Sequence, residues 1–117
     1  MFFAFFLSLL FSSEINIAQQ KQPLPNNNKF VQFYVVGITN GTESRAIDQF
    51  IRSQNGVLMS RTDPNTRICF VIFSPTANLD EATVTNWLNN LGFRIACFRE
   101  GIHGVDKVYS KENYQCN

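Results

Sequence analysis

Between Phe30 and Phe98 the hydrophobic period of the chain alternates between two residues and three to four, and this order constrains the fold more than any composition figure. The run "FVQFYVVGI", Phe30 to Ile38, is dense in β-branched and aromatic residues and reads as a strand, with Val31, Phe33 and Val35 as the set facing the core. From Thr42 or Glu43 to Asn55 the apolar residues Ile47, Phe50 and Ile51 follow helical spacing, and Gly56 ends the helix. Val57 to Thr62 and Ile68 to Phe73 are two further strands. They are joined by Asp63-Pro64-Asn65-Thr66, where Pro suits the second position of a turn and Asn the third. A second helix is expected to open at Asn78, with Glu81 completing the cap and Val84, Trp87, Leu88 and Leu91 on its buried face. After Gly92, Phe93 to Phe98 forms the last strand. Strand, helix, strand, strand, helix, strand predicts an α+β, ferredoxin-like βαββαβ sandwich: a four-stranded antiparallel sheet, its first and third strands central, with two helices on one face.

The flanks read differently. Residues 1–18 open on "MFFAFFLSLLF", too short for the roughly 20 apolar residues of a membrane span. This stretch fits the apolar region of a signal peptide cleaved near Ala18, although no Lys or Arg precedes it. The expectation is an exported protein, periplasmic or secreted, whose mature chain has no stable membrane insertion. Residues 19–29 form a polar leader, residues 30–100 the domain and residues 101–117 a C-terminal extension. A formal net charge of +1 lacks the electrostatic footprint of a nucleic-acid binder. The 3 cysteines allow at most one intramolecular disulfide. Cys69, inside "ICFVIF", reads as a small hydrophobe, and Cys97 with Cys116 is the preferred pair; without a bridge both are ordinary structural residues.

Four landmarks, "VGIT" at Val36 to Thr39, "NGV" at Asn55 to Val57, "FSP" at Phe73 to Pro75 and "LNNLGF" at Leu88 to Phe93, resemble in order and spacing those of the heavy-metal-associated domain family. The resemblance covers about Val31 to Phe98 and implies the ferredoxin-like fold. It also implies a metal loop in which the family carries two cysteines, whose thiolates suit a soft cation such as Cu(I). In this frame the two positions hold Asn40 and Glu43, so the chain resembles a degenerate member of the family. An amide oxygen and a carboxylate are hard ligands that would need several more oxygens to hold Ca²⁺ or Mg²⁺. Asn followed three residues later by Glu at a helix start is better read as a capping pair. Asn40-Gly41-Thr42 is also an N-x-T sequon. His103 is the only histidine and, between Gly101 and Gly104, reads as a residue of an exposed turn. With scattered carboxylates it assembles no catalytic constellation, so no enzyme activity and no cofactor are expected.

The opposite face of the sheet is the other candidate. In the family frame Cys69, Val71 and Phe73 face the helices, leaving Ile68, Phe70, Ile72, Phe30, Tyr34, Val36 and Phe98 on a face that is normally polar. Tyr34, Phe70, Ile72 and Phe98 are its candidate interaction residues. Three covers are open: the tail with Val105, Val108, Tyr109 and Tyr114; a protein partner or a second copy; or stacked bases, as on RNA-binding sheets. Against bases stand the export signal, the lack of basic clusters and a missing glycine in "TRICFVIF", so no nucleic acid is expected. The frame also carries a conflict. It points Cys97 inward, so a tail crossing the outer face would have to round the edge strand to bring Cys116 to it.

The expected function is a small non-enzymatic binding or interaction module. The alternative is metal binding or transport through non-standard ligands.

Overall fold

Alternate burial of Val31, Phe33 and Val35 builds the first strand, β1 (Lys29–Val36), in a computed structural model that describes residues 27–116. The signal-peptide and most of the leader assignments lie outside the described residues. Helix α1 (Gly41–Arg52), strands β2 (Val57–Thr62) and β3 (Ile68–Phe73), helix α2 (Glu81–Asn90), strand β4 (Arg94–Ile102) and a short 3₁₀ turn (Lys111–Asn113) follow. The four strands form one antiparallel sheet in the order β2-β3-β1-β4, with β1 and β3 central. This is the ferredoxin-like arrangement.

The core lies between the sheet and the helices. Val31, Phe33 and Val35 from β1 and Cys69, Val71 and Phe73 from β3 meet Ile47 and Ile51 of α1 and Val84 and Leu88 of α2. One polar cluster interrupts it. Asp48 of α1 accepts from Ser60 Oγ at 2.8 Å, Thr62 Oγ1 at 2.8 Å and Thr62 N at 2.9 Å, so the carboxylate latches the helix to β2 with its oxygens satisfied. Cys69 touches this cluster through Ser60 Oγ at 3.9 Å. Burial above all pushes its thiol up to about 12, which makes it an inert core residue.

Both helices differ from expectation at their ends. Helix α1 stops at Arg52, because Ser53 Oγ and Gln54 Nε2 both donate to the Phe50 carbonyl, at 2.6 and 3.1 Å, and capture the last turn before Gly56. Helix α2 is capped not by Asn78 but by Asp80, whose side chain accepts from Thr83 N at 2.9 Å. The reason lies in Leu79, which is buried in the core together with Val84; a buried residue just before the cap paired with one in the first turn is a hydrophobic staple, and it sets the cap at Asp80.

Strand β4 holds the largest departure. Gln32 pairs with Arg99 and Tyr34 with Ala96, so Cys97 and Phe98 share the place opposite Phe33 in a β-bulge. Cys97 takes up the extra residue at φ 58, in the left-handed region. Beyond the bulge the inward and outward positions exchange. Phe98 is therefore corrected from the outer face to the helix side, where it packs against the core and stacks on Phe33 with ring centroids 6.5 Å apart. Strand β4 also runs on to Ile102, past the expected end of the domain at residue 100.

Candidate functional site

The corner between β1 and α1 turns at Gly37, where φ is +97. Asn40 then caps α1: its Oδ1 accepts from Glu43 N at 2.9 Å. Glu43 reaches back the other way, its Oε1 accepting from Thr39 N at 2.7 Å and Thr39 Oγ1 at 2.9 Å. Asn40 satisfies a first-turn amide that has no intrahelical partner, Glu43 satisfies the amide just before the cap, and the carboxylate sits at the positive end of the helix dipole. The Thr39 backbone donor, then its hydroxyl, hold the Glu43 carboxyl below its ordinary 4.5. Among the described residues no group of three or more His, Cys, Asp or Glu side chains is placed to hold a metal ion.

Two predictions arise here. Asn40→Ala removes the cap acceptor and is expected to lower stability by about 1 kcal/mol, read as a shift in urea midpoint. The second concerns acid. Glu43 and Asp80 both have folded pKa values below their ordinary 4.5 and 3.8, Asp80 through the Thr83 amide first. A depressed carboxyl contributes stability that is complete above the ordinary value and is lost as pH falls through the folded one. Tm should therefore hold steady above those values and fall below them, and Glu43→Gln should flatten part of that acid limb.

The outer face of the sheet is covered in part. Beyond β4 the chain turns at Gly104 and returns across the face, and Gln32, buried to 2% exposure, holds it there. Gln32 Nε2 donates to the Tyr109 carbonyl at 2.9 Å, while its Oε1 accepts from Tyr109 N at 3.1 Å and from Arg99 Nη1 at 2.6 Å. The Arg99 guanidinium lies 4.1 Å over the Tyr109 ring and 5.5 Å from the Phe30 ring centroid. Tyr114 is 6% exposed, packs on Tyr34 at 5.0 Å and donates its hydroxyl to the Cys97 carbonyl. Burial pushes its phenol up to about 12, with Arg99 opposing, so it stays a donor through the neutral range.

Cys97 and Cys116 are joined by a disulfide with Cα atoms 5.5 Å apart. The conflict between an inward Cys97 and a tail on the outer face disappears at the bulge, because the left-handed backbone at Cys97 breaks the alternation that would have turned it inward. Of the four expected interaction residues, Tyr34 lies under Tyr114, and Phe70 lies beside Phe30 at 5.6 Å and His103 at 6.5 Å. Ile72 is half-buried, and Phe98 is on the other side. The tail and Phe70 border a cleft of about 360 Å³ lined also by Arg61, Ile68, Lys111 and Glu112.

Sequence reasoning missed Gln32 and Arg99. Gln32 carried a signal: it is the only amide or charged side chain between Phe30 and Val36, in register with apolar neighbours on an outer face.

Neither a family model nor a curated protein matches the sequence. Solved structures do match in fold. A copper-binding domain from a P-type ATPase is 21% identical, covering 57% of this chain and 89% of that one, with a TM-score of 0.52. The CopZ metallochaperone is 12% identical, covering 56% and 97%, with a TM-score of 0.52. Oxidized MerP from Ralstonia metallidurans is 20% identical, covering 59% and 94%, with a TM-score of 0.52. The chain has the fold of heavy-metal-associated domains.

Proposed function

We propose that this chain is an exported, non-enzymatic binding module that keeps the fold of heavy-metal-associated domains without a metal site at their loop. The observation that carries this reading is the double use of the corner. The Asn40 oxygen and a Glu43 oxygen accept from amides and a hydroxyl of their own loop, so a cation there would compete with the helix cap. The three cysteines do not serve the loop. Cys69 is buried in the core, and Cys97 and Cys116 are joined to each other.

Binding then falls to protein surface. The tail covers the Gln32 and Tyr34 side of the outer face, and a partner or a second copy would meet the half-buried Phe70 and Ile72 and the charged rim of Arg61, Lys111 and Glu112. A second reading, cation handling through non-standard ligands, draws on the likeness in fold to the copper-binding domain of a P-type ATPase and to the CopZ metallochaperone.

Titrating the disulfide-intact protein with Cu(I) against a chelator separates the two. No stoichiometric uptake is expected. Tight one-to-one binding that disappears in Asn40→Ala or Glu43→Ala would overturn the vacant loop. Sedimentation of the same sample reports whether the second copy is the partner.

A further inference from the structure

Outside the loop, the described residues bring one pair of soft side chains together. Cys97 is half-buried in the bulge of β4, and Cys116 is exposed at the end of the tail. The bond between them is not the only thing that holds them close. The Tyr114 hydroxyl is bonded to the carbonyl of Cys97 itself, its ring packs on Tyr34 and on Tyr109 at 6.2 Å, and Gln32 clamps the Tyr109 backbone from both sides. None of these contacts uses sulfur. Only Gln115 separates Tyr114 from Cys116, so the tether keeps the Cα of Cys116 within about 7 Å of the Cα of Tyr114.

We propose that, when reduced, Cys97 and Cys116 form a two-thiolate site for a soft monovalent cation, with Cu(I) as its probe. A dithiol reductant supplies two electrons and two protons; the S–S bond breaks, two thiols form and the reductant closes to its own disulfide. The cation then binds both sulfurs as the two thiols release two protons. Thiolates are the donors that Cu(I) selects, and two of them suffice for a soft cation. The complex carries one net negative charge, and Arg99, which lines the same groove as Cys97, Tyr109 and Tyr114 and sets its guanidinium on the Tyr109 ring, supplies a positive charge nearby. The exposed Cys116 gives the cation its way in. Cys69 offers no competing site, because its sulfur is enclosed in the core. The site goes beyond the proposed binding role and does not depend on the vacancy of the Asn40 loop.

The test uses the full chain, reduced anaerobically with a phosphine that ends as its oxide, and Cu(I) presented as its bicinchoninate complex. One Cu(I) per chain is expected in the reduced protein, held roughly 100-fold more tightly than by Cys97→Ser or Cys116→Ser, where a single thiol is left. The unreduced protein, with the same fold and no free pair, should take up none. Circular dichroism of the variants checks that they fold, and the unreduced wild type gives the comparison without any substitution. Binding in the reduced wild type no tighter than in Cys116→Ser, or unchanged in the double serine variant, would sink the proposal. Either outcome leaves the loop test untouched, since that one reads the oxidised protein and the Asn40 and Glu43 variants.

Discussion

Phe33→Ala is expected to lower stability by about 4 kcal/mol, the cost of truncating a fully enclosed phenylalanine. That is a large part of the 5 to 15 kcal/mol typical of a small domain, so a urea midpoint should fall by roughly half with little change in slope. The size of the effect follows from position. Phe33 is at the centre of β1, between its partner Cys69 on β3 and the bulge of β4, and its ring faces Phe98. Phe98→Ala should cost less, because Phe98 is only partly buried. The double variant should show a coupling of about 1 kcal/mol between the two rings. No coupling would mean that Phe98 does not share the core with Phe33, and the bulge would lose its role as the device that turns it inward.

That bulge also marks where sequence reasoning stops. The period of Val31, Phe33 and Val35 on one side and of Ile47 and Ile51 on the other made the layers of the fold legible, because one buried face leaves little freedom of register. Strand β4 gives no such guidance. Ile95, Ala96, Cys97 and Phe98 are all apolar or small, so nothing in their order shows where an extra residue is inserted, and a shift of one position exchanges the faces. The capping role of Asn40 and Glu43 was legible because it is local, set by residues three apart. The cap of α2 was misplaced for the opposite reason: Asn78 and Asp80 are both good caps, and the choice between them was made by the burial of Leu79 in a core assembled from distant strands. Gln32 belongs with the second kind. Its three hydrogen bonds go to Arg99 on β4 and Tyr109 in the tail, far along the chain, and no local pattern assigns a lone amide its partners.

Deleting residues 105–117 is expected to cost about 5 kcal/mol, the largest single effect available in this molecule. Two losses add up to it. The disulfide closes a chain separation of 19 residues, which constrains the unfolded ensemble by about 3 kcal/mol. Removing Tyr109 also takes two hydrogen bonds from the buried Gln32 amide, at roughly 1 to 3 kcal/mol for polar groups left without partners. Water can reach the uncovered amide and reduce that second cost, so the sum is an upper figure. Tyr34 and Arg99 would lose the rings now packed on them, leaving an aromatic face open to solvent. The truncated protein should therefore unfold at much lower urea, or bind a hydrophobic dye and self-associate where it remains folded. A truncated chain that keeps its midpoint and stays monomeric would show that the tail is a dispensable cover, and the outer face would return as a surface made for a partner. The Gln32→Ala variant separates the two contributions, because it releases the tail from the sheet while leaving the disulfide in place. A small loss there beside a large loss on truncation assigns the stability to the covalent closure. Comparable losses assign it to the clamp, which is also the arrangement that would keep Cys116 beside Cys97 after reduction.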